Sequence, residues 1–223
     1  MGGVPSQAER THKPTVHDFK PPENWRLEHV EAVHRHWING NHDFAMDRAT
    51  WERFLKEAIP TAEDAARPFY SKFDTNDARM INVVEVMSGL CIMCQATVID
   101  KIRFLFDMND FNGQGSLSYD ETVVMLYLTA TAAVLMSGKG VVPEESTMES
   151  IADEAFVAAD IDVSDRIGRE GFIGWMLDFL NITEDTPSVG LREFLKRFKA
   201  LKAQKLDKTA GQLALEREIA RLE

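Results

Sequence analysis

The sequence predicts an all-α protein: four helix-loop-helix units grouped as two lobes, followed by an amphipathic C-terminal helix. Three observations predict it. One 12-residue run, flanked by two helical stretches, carries oxygen-bearing side chains at alternate positions. Fainter versions of that run recur along the chain, the mark of a repeated supersecondary unit. Beyond residue 188, apolar residues fall at helical intervals among basic ones.

The clearest run is residues 110–121. Asp110, Asn112 and Gln114 stand at loop positions 1, 3 and 5, so alternate side chains converge on one point. Gly115 at position 6 permits a sharp turn that a Cβ would hinder. Ser116 offers its backbone carbonyl, Ser118 acts through a water, and Glu121 at position 12 closes the set with both carboxylate oxygens. A hard cation such as Ca²⁺ takes roughly 6–8 oxygens at ~2.3–2.6 Å, which a loop of this length can wrap around it. The metal-ligating set read from the sequence is therefore Asp110, Asn112, Gln114, Ser116 and Glu121. Only Asp110 and Glu121 bring formal charge, and Gln114 is one methylene longer than the usual residue there, so the expected affinity is weak, on the order of 10⁻⁶–10⁻⁴ M.

The flanks agree with the loop. Thr97 and Asp100 make a weak capping-box start before IRFLFDM. After the loop, DETVVMLYLTATAAVLM has no breaker until Ser137 and Gly138. This helix-loop-helix resembles the EF-hand motif, departing from it at Gln114.

Three eroded copies accompany it. The run from Asp74 keeps Asp74, Asn76, Ile81 and Glu85 at positions 1, 3, 8 and 12, but has Ala78 at position 5 and Arg79 where the glycine belongs. The run from Asp160 keeps Asp160, Asp162, Ser164 and Ile167, then ends in Gly171 with Glu170 one residue early. The run from Asn39 lacks an acid at both ends and is recognisable by Met46, Trp51 and Phe54. Asp160, Asp162, Ser164, Asp74, Asn76 and Glu85 are thus doubtful ligands in hands expected to be structural and empty. Loop starts at 39, 74, 110 and 160 are 35, 36 and 50 residues apart. The longer step places an insert at SGKGVVPEES, with Pro143 as first residue of the next helix. Met46 with Ile81, and Leu117 with Ile167, are placed to pair the hands in twos. The divisions that follow are a flexible N-terminal segment at 1–23, an N-lobe at 24–95, a C-lobe at 96–182 and a basic helical tail at 183–223.

On PFYSKFDTN, INVVEVMSGL and DKIRFLFDMND, the four-hand layout over roughly residues 25–182 resembles the calmodulin superfamily, and within it the calcineurin B and neuronal calcium sensor branch. The resemblance implies a regulatory protein, a calcium sensor or regulatory subunit that engages a helical target. Eroded four-hand proteins similar to this one also occur on flagellar axonemes and dynein docking complexes. The leading expectation is therefore a Ca²⁺-binding regulatory adaptor with one filled site in the third hand. The alternative is a constitutive structural scaffold of a cytoskeletal or flagellar assembly.

Composition narrows the rest. A net charge of −11 argues against nonspecific nucleic-acid binding, which needs basic residues to displace counterions. The first residues lack a secretory apolar core, and residues 123–136 fall short of the ~18–20 apolar residues of a membrane span. With only Cys91 and Cys94, a cytoplasmic setting is expected, and this C-x-x-C inside an apolar helix reads as core packing. The six histidines lie between positions 12 and 42, none four residues from another, and read as no metal site. Gly2 with Ser6 matches the N-myristoylation pattern, though Pro5 is unhelpful; one such chain would give only weak membrane contact. In the tail, Leu191, Phe194, Leu195, Phe198 and Leu201 share a helix face among seven basic residues and two acidic ones. This basic amphipathic helix reads as a solvated helix, an occupant of the chain's own groove, or a segment that docks on a partner or an anionic membrane. No Gly-rich phosphate loop, G-x-S-x-G or His-carboxylate nucleophile pattern is present, so no enzyme is expected.

Overall fold

The computed structural model describes residues 25–138 and 141–183. Gly2, the N-terminal segment and the basic tail lie outside the described residues.

Among the described residues, eight α-helices alternate with short strands as four helix-loop-helix units. The first unit joins α1 (Leu27–Asn39) through β1 (Ala45–Met46) to α2 (Arg48–Ala58). Val30, Val33 and Trp37 line the buried face of α1 at helical spacing. Asp47 caps α2 by accepting the Thr50 N–H at 2.8 Å, and Trp51, Phe54 and Leu55 go inward behind it. A 3-10 turn at Pro60–Ala62 leads into α3 (Glu63–Phe73), then β2 (Ile81–Asn82) and α4 (Val83–Met93). The third unit is α5 (Val98–Asn109), β3 (Ser116–Ser118) and α6 (Tyr119–Ser137); the fourth is α7 (Glu145–Ala158), β4 (Arg166–Gly168) and α8 (Arg169–Leu180). The fold is all-α and EF-hand-like.

The strands pair the units. β1 and β2 run antiparallel with Met46 opposite Ile81, and β3 and β4 with Leu117 opposite Ile167. All four of these side chains are buried. Thr97 starts α5 as its sequence suggests, its hydroxyl accepting the Asp100 N–H at 3.2 Å. Gly138 ends α6 in the left-handed region at φ +63°, a position without Cβ penalty only for glycine.

Two expectations are corrected. The helix after the insert begins at Glu145, with Glu144 as its cap, so Pro143 precedes the helix instead of opening it. The apolar stretch 123–136 belongs to a 19-residue helix, Tyr119–Ser137, long and apolar enough by composition to cross a membrane, yet with 67% of its apolar window buried against the protein itself. It is a core helix. It has no polar stripe because it serves two cores: Leu128, Ala132, Leu135 and Met136 pack with the first pair of hands, and Val123, Met125, Leu126 and Ala130 with the second. α4 approaches α6 at Gly89, where a Cβ would stand 2.8 Å from Phe73 Cζ and 3.2 Å from Met136 Cγ. Burying each large side chain of these cores contributes on the order of 1.5–3 kcal/mol.

Cys91 and Cys94 are buried free thiols on this framework. Lys101, whose burial the sequence did not suggest, reaches in beside them and donates its ammonium to the Ile92 carbonyl at 2.9 Å. Burial lowers the Lys101 pKa and raises that of Cys91.

Candidate metal centre

The third loop is built from its hydrogen bonds. Asp110 caps α5, and its two carboxylate oxygens accept the N–H groups of Gln114 at 3.1 Å and Gly115 at 2.7 Å. Asn112 Oδ1 accepts the same Gln114 N–H at 3.0 Å, which draws positions 1 and 3 together. Gly113 at φ +65° and Gly115 at φ +71° supply the left-handed turns this wrapping needs. Ser118 then caps α6: its hydroxyl accepts the Glu121 N–H at 3.2 Å, and Glu121 Oε2 accepts the Ser118 N–H at 2.8 Å. The loop thus ends in a capping box that holds the position-12 carboxylate against the strand.

The far side of the site is shared with the fourth hand. Arg166 donates through Nε to Ser116 Oγ at 3.0 Å and through Nη2 to the Ser116 carbonyl at 2.6 Å and Glu121 Oε2 at 2.7 Å. The Arg166 and Glu121 side chains keep only 31% and 21% of their accessible surface, so this is a partly desolvated, charge-assisted contact. Arg169 extends the clamp: its backbone N–H donates to the Gly115 carbonyl at 3.3 Å, and its guanidinium pairs with Asp107 just before the loop.

Of the five ligands read from the sequence, Asp110 and Asn112 are brought together on one N–H, and Ser116 and Glu121 on one guanidinium nitrogen. Gln114 is exposed and contributes its N–H to the turn. The donors are all oxygen, which suits a hard cation. The residues fit Ca²⁺ with one change: Glu121 Oε2 must exchange Arg166 for the ion. Asp110, Asn112, Gln114, Ser116 and Glu121 would hold it, and the ion would supply a compact divalent charge at the junction of α5 and α6. Among the described residues, no group of three or more His, Cys, Asp or Glu side chains is arranged to hold a metal.

The eroded loops differ from this pattern in specific ways. In the second loop, Asp74 still accepts the N–H of position 6 at 3.2 Å and Asn76 that of Ala78 at 3.2 Å. Arg79 there adopts φ +59°, the glycine's conformation with an arginine in it, and Glu85 is buried at the start of α4. In the fourth loop, Asp162 accepts the Ser164 N–H at 2.8 Å, but Asp160 sits at φ +56° where Asp110 has φ −80°. The Asp165 N–H turns to the Asp162 carbonyl at 2.9 Å instead of to a position-1 carboxylate. The fourth hand is therefore altered at both ends, not only at Gly171.

Sequence reading missed Arg166. Its signal was present: if Leu117 pairs with Ile167 in an antiparallel ladder, Arg166 lies opposite Ser118. It also missed that the first and third loops touch, where Phe44 and Phe111, both about half exposed, meet edge to face at 5.6 Å.

No family profile matches the chain. A stretch of 82 residues, 36% of this chain, is 29% identical to calaxin of Xenopus laevis. That stretch spans 39% of the relative's length.

Proposed function

We propose that this protein is a Ca²⁺-binding EF-hand regulator that takes one ion in the third loop, through Asp110, Asn112, Gln114, Ser116 and Glu121, and engages a helical protein partner. The observation that carries the reading is the folding of Asp110 and Asn112 onto the Gln114 N–H, beside a Glu121 fixed by its own capping box. The loop leads directly into α6, which packs in both cores, so a change at Glu121 bears on the whole described body. An apolar cleft walled by Val98, Ile102, Leu105, Met125, Met176 and Phe179 supports a helical partner, since an amphipathic helix buries its apolar face in such grooves. The likeness to calaxin favours calcium binding and a flagellar setting.

Titration calorimetry on the full chain tests the ion. Wild type should bind Ca²⁺ with one-site stoichiometry, and Glu121→Gln should lose most of the heat. Equal heats in both, or none in either, would overturn the reading.

The Arg166 contacts support a second reading, a scaffold whose hands are held closed by protein groups and which stays on an axonemal or other cytoskeletal assembly whatever the ion level. Recovery of the same partners with and without chelator would favour it over the regulator.

A further inference from the structure

We propose that Arg166 is a built-in competitor for the metal: its guanidinium occupies the carbonyl of position 7 and the carboxylate of position 12 in the third loop, and Ca²⁺ must displace it to bind. The inference rests on the Ca²⁺ reading above. Three contacts define it, Nε to Ser116 Oγ at 3.0 Å and Nη2 to Ser116 O at 2.6 Å and Glu121 Oε2 at 2.7 Å. Two of these acceptors, the Ser116 carbonyl and the Glu121 carboxylate, are ligands that the loop offers to an ion. Nη2 alone reaches both, while Nε of the same planar group holds Ser116 Oγ, a two-armed grip that an ammonium on a flexible stem does not reproduce as well.

The competition has a direction. With Arg166 in place, the charges of Asp110 and Glu121 are offset by one cation, so the site attracts a divalent ion less than its own residues would. Releasing Glu121 Oε2 also leaves it with the Ser118 N–H alone of its two donors. Arg166 therefore lowers the affinity of the third loop and stabilises the ion-free fold. It belongs to the fourth hand, at the end of the β3–β4 ladder opposite Ser118. Filling the third loop consequently frees a side chain of the fourth, so the eroded hand reads the state of its neighbour without binding metal itself.

Calorimetric titration of the full chain with Ca²⁺, with thermal unfolding in chelator, tests this on wild type, Arg166→Gln and Arg166→Lys. Arg166→Gln should bind about 3- to 10-fold more tightly, the scale of one partly exposed ion pair, while its ion-free melting temperature falls by roughly 2–4 °C. Arg166→Lys, which keeps the charge but not the fork, should lie between, and carries the comparison if the glutamine variant does not fold. Equal or weaker binding by Arg166→Gln, with wild type binding normally, overturns the competitor and leaves the Ca²⁺ reading intact. Binding by the variant alone supports the competitor and overturns Ca²⁺ binding by the native chain. Absence of binding in every protein overturns both.

Discussion

Replacing Ile167 by alanine tests whether the strand pair joining the third and fourth hands is a packed joint. Ile167 is fully buried opposite Leu117, in the core that also holds Phe106, Phe156 and Phe172. The substitution removes three carbons, worth about 2.4 kcal/mol at ~0.8 kcal/mol per methylene. An unrelaxed cavity of ~75 Å³ would add about 1.8 kcal/mol, and partial collapse of the surrounding loops recovers some of that. The expected loss is ~3 kcal/mol, which lowers the melting temperature of a chain this size by roughly 6–12 °C. Chemical and thermal unfolding followed by helical circular dichroism would read it. Val163→Ala, at a half-exposed position in the same loop, is the control and should stay within about 0.5 kcal/mol of wild type. A loss below ~1 kcal/mol at Ile167 would refute the reasoning, because it would mean that the pair touches without sharing a core.

Gly115→Ala should cost ~1–2 kcal/mol in urea unfolding, since φ is +71° with nothing within 4 Å and the penalty is backbone strain alone. Gly174→Ala, equally open but helical, should stabilise by about 0.5–1 kcal/mol in the same assay. Ser118→Ala removes the hydroxyl that accepts the Glu121 N–H and should cost ~1 kcal/mol of stability. Burial holds the His34 pKa below the ordinary 6.5, with Asp107 opposing and Arg35 adding to the shift. The unfolded chain then takes up this proton more readily, so the stability His34 contributes is present above pH 6.5 and is lost as pH falls through the folded value. Denaturant midpoints measured from about pH 7.5 down to about pH 5 should fall less steeply in His34→Phe than in wild type.

Much of this fold is legible in the residues because local chemistry and global packing agree. Met46, Ile81, Leu117 and Ile167 stand at the same loop position in each unit, and that periodicity alone pairs them as the strands do. Thr97 and Gly138 punctuate their helices through contacts within four residues, which a sequence displays directly. Pro143 misled because proline favours a helix start without fixing it, and Glu144 takes the cap instead. The residues of the third loop were readable for the same local reason. Arg166 takes a further step: the same pairing sets it opposite Ser118, but the reach of its guanidinium to the Ser116 carbonyl and Glu121 is a geometry that residue types do not state. Asp160 is hidden differently: residue type says nothing of a left-handed backbone, and its φ of +56° alters the loop although position 1 keeps its aspartate.

The double allegiance of α6 has a consequence for taking the protein apart. A fragment ending near Gln95 would retain both early loops and their strands, yet leave a bare trough where Leu128, Ala132, Leu135 and Met136 had lain. Phe104 and Met108 from α5 would be missing from it as well. Produced alone, that half should be an adhesive polypeptide, not an autonomous module, and work on isolated halves would describe an object the intact chain never contains.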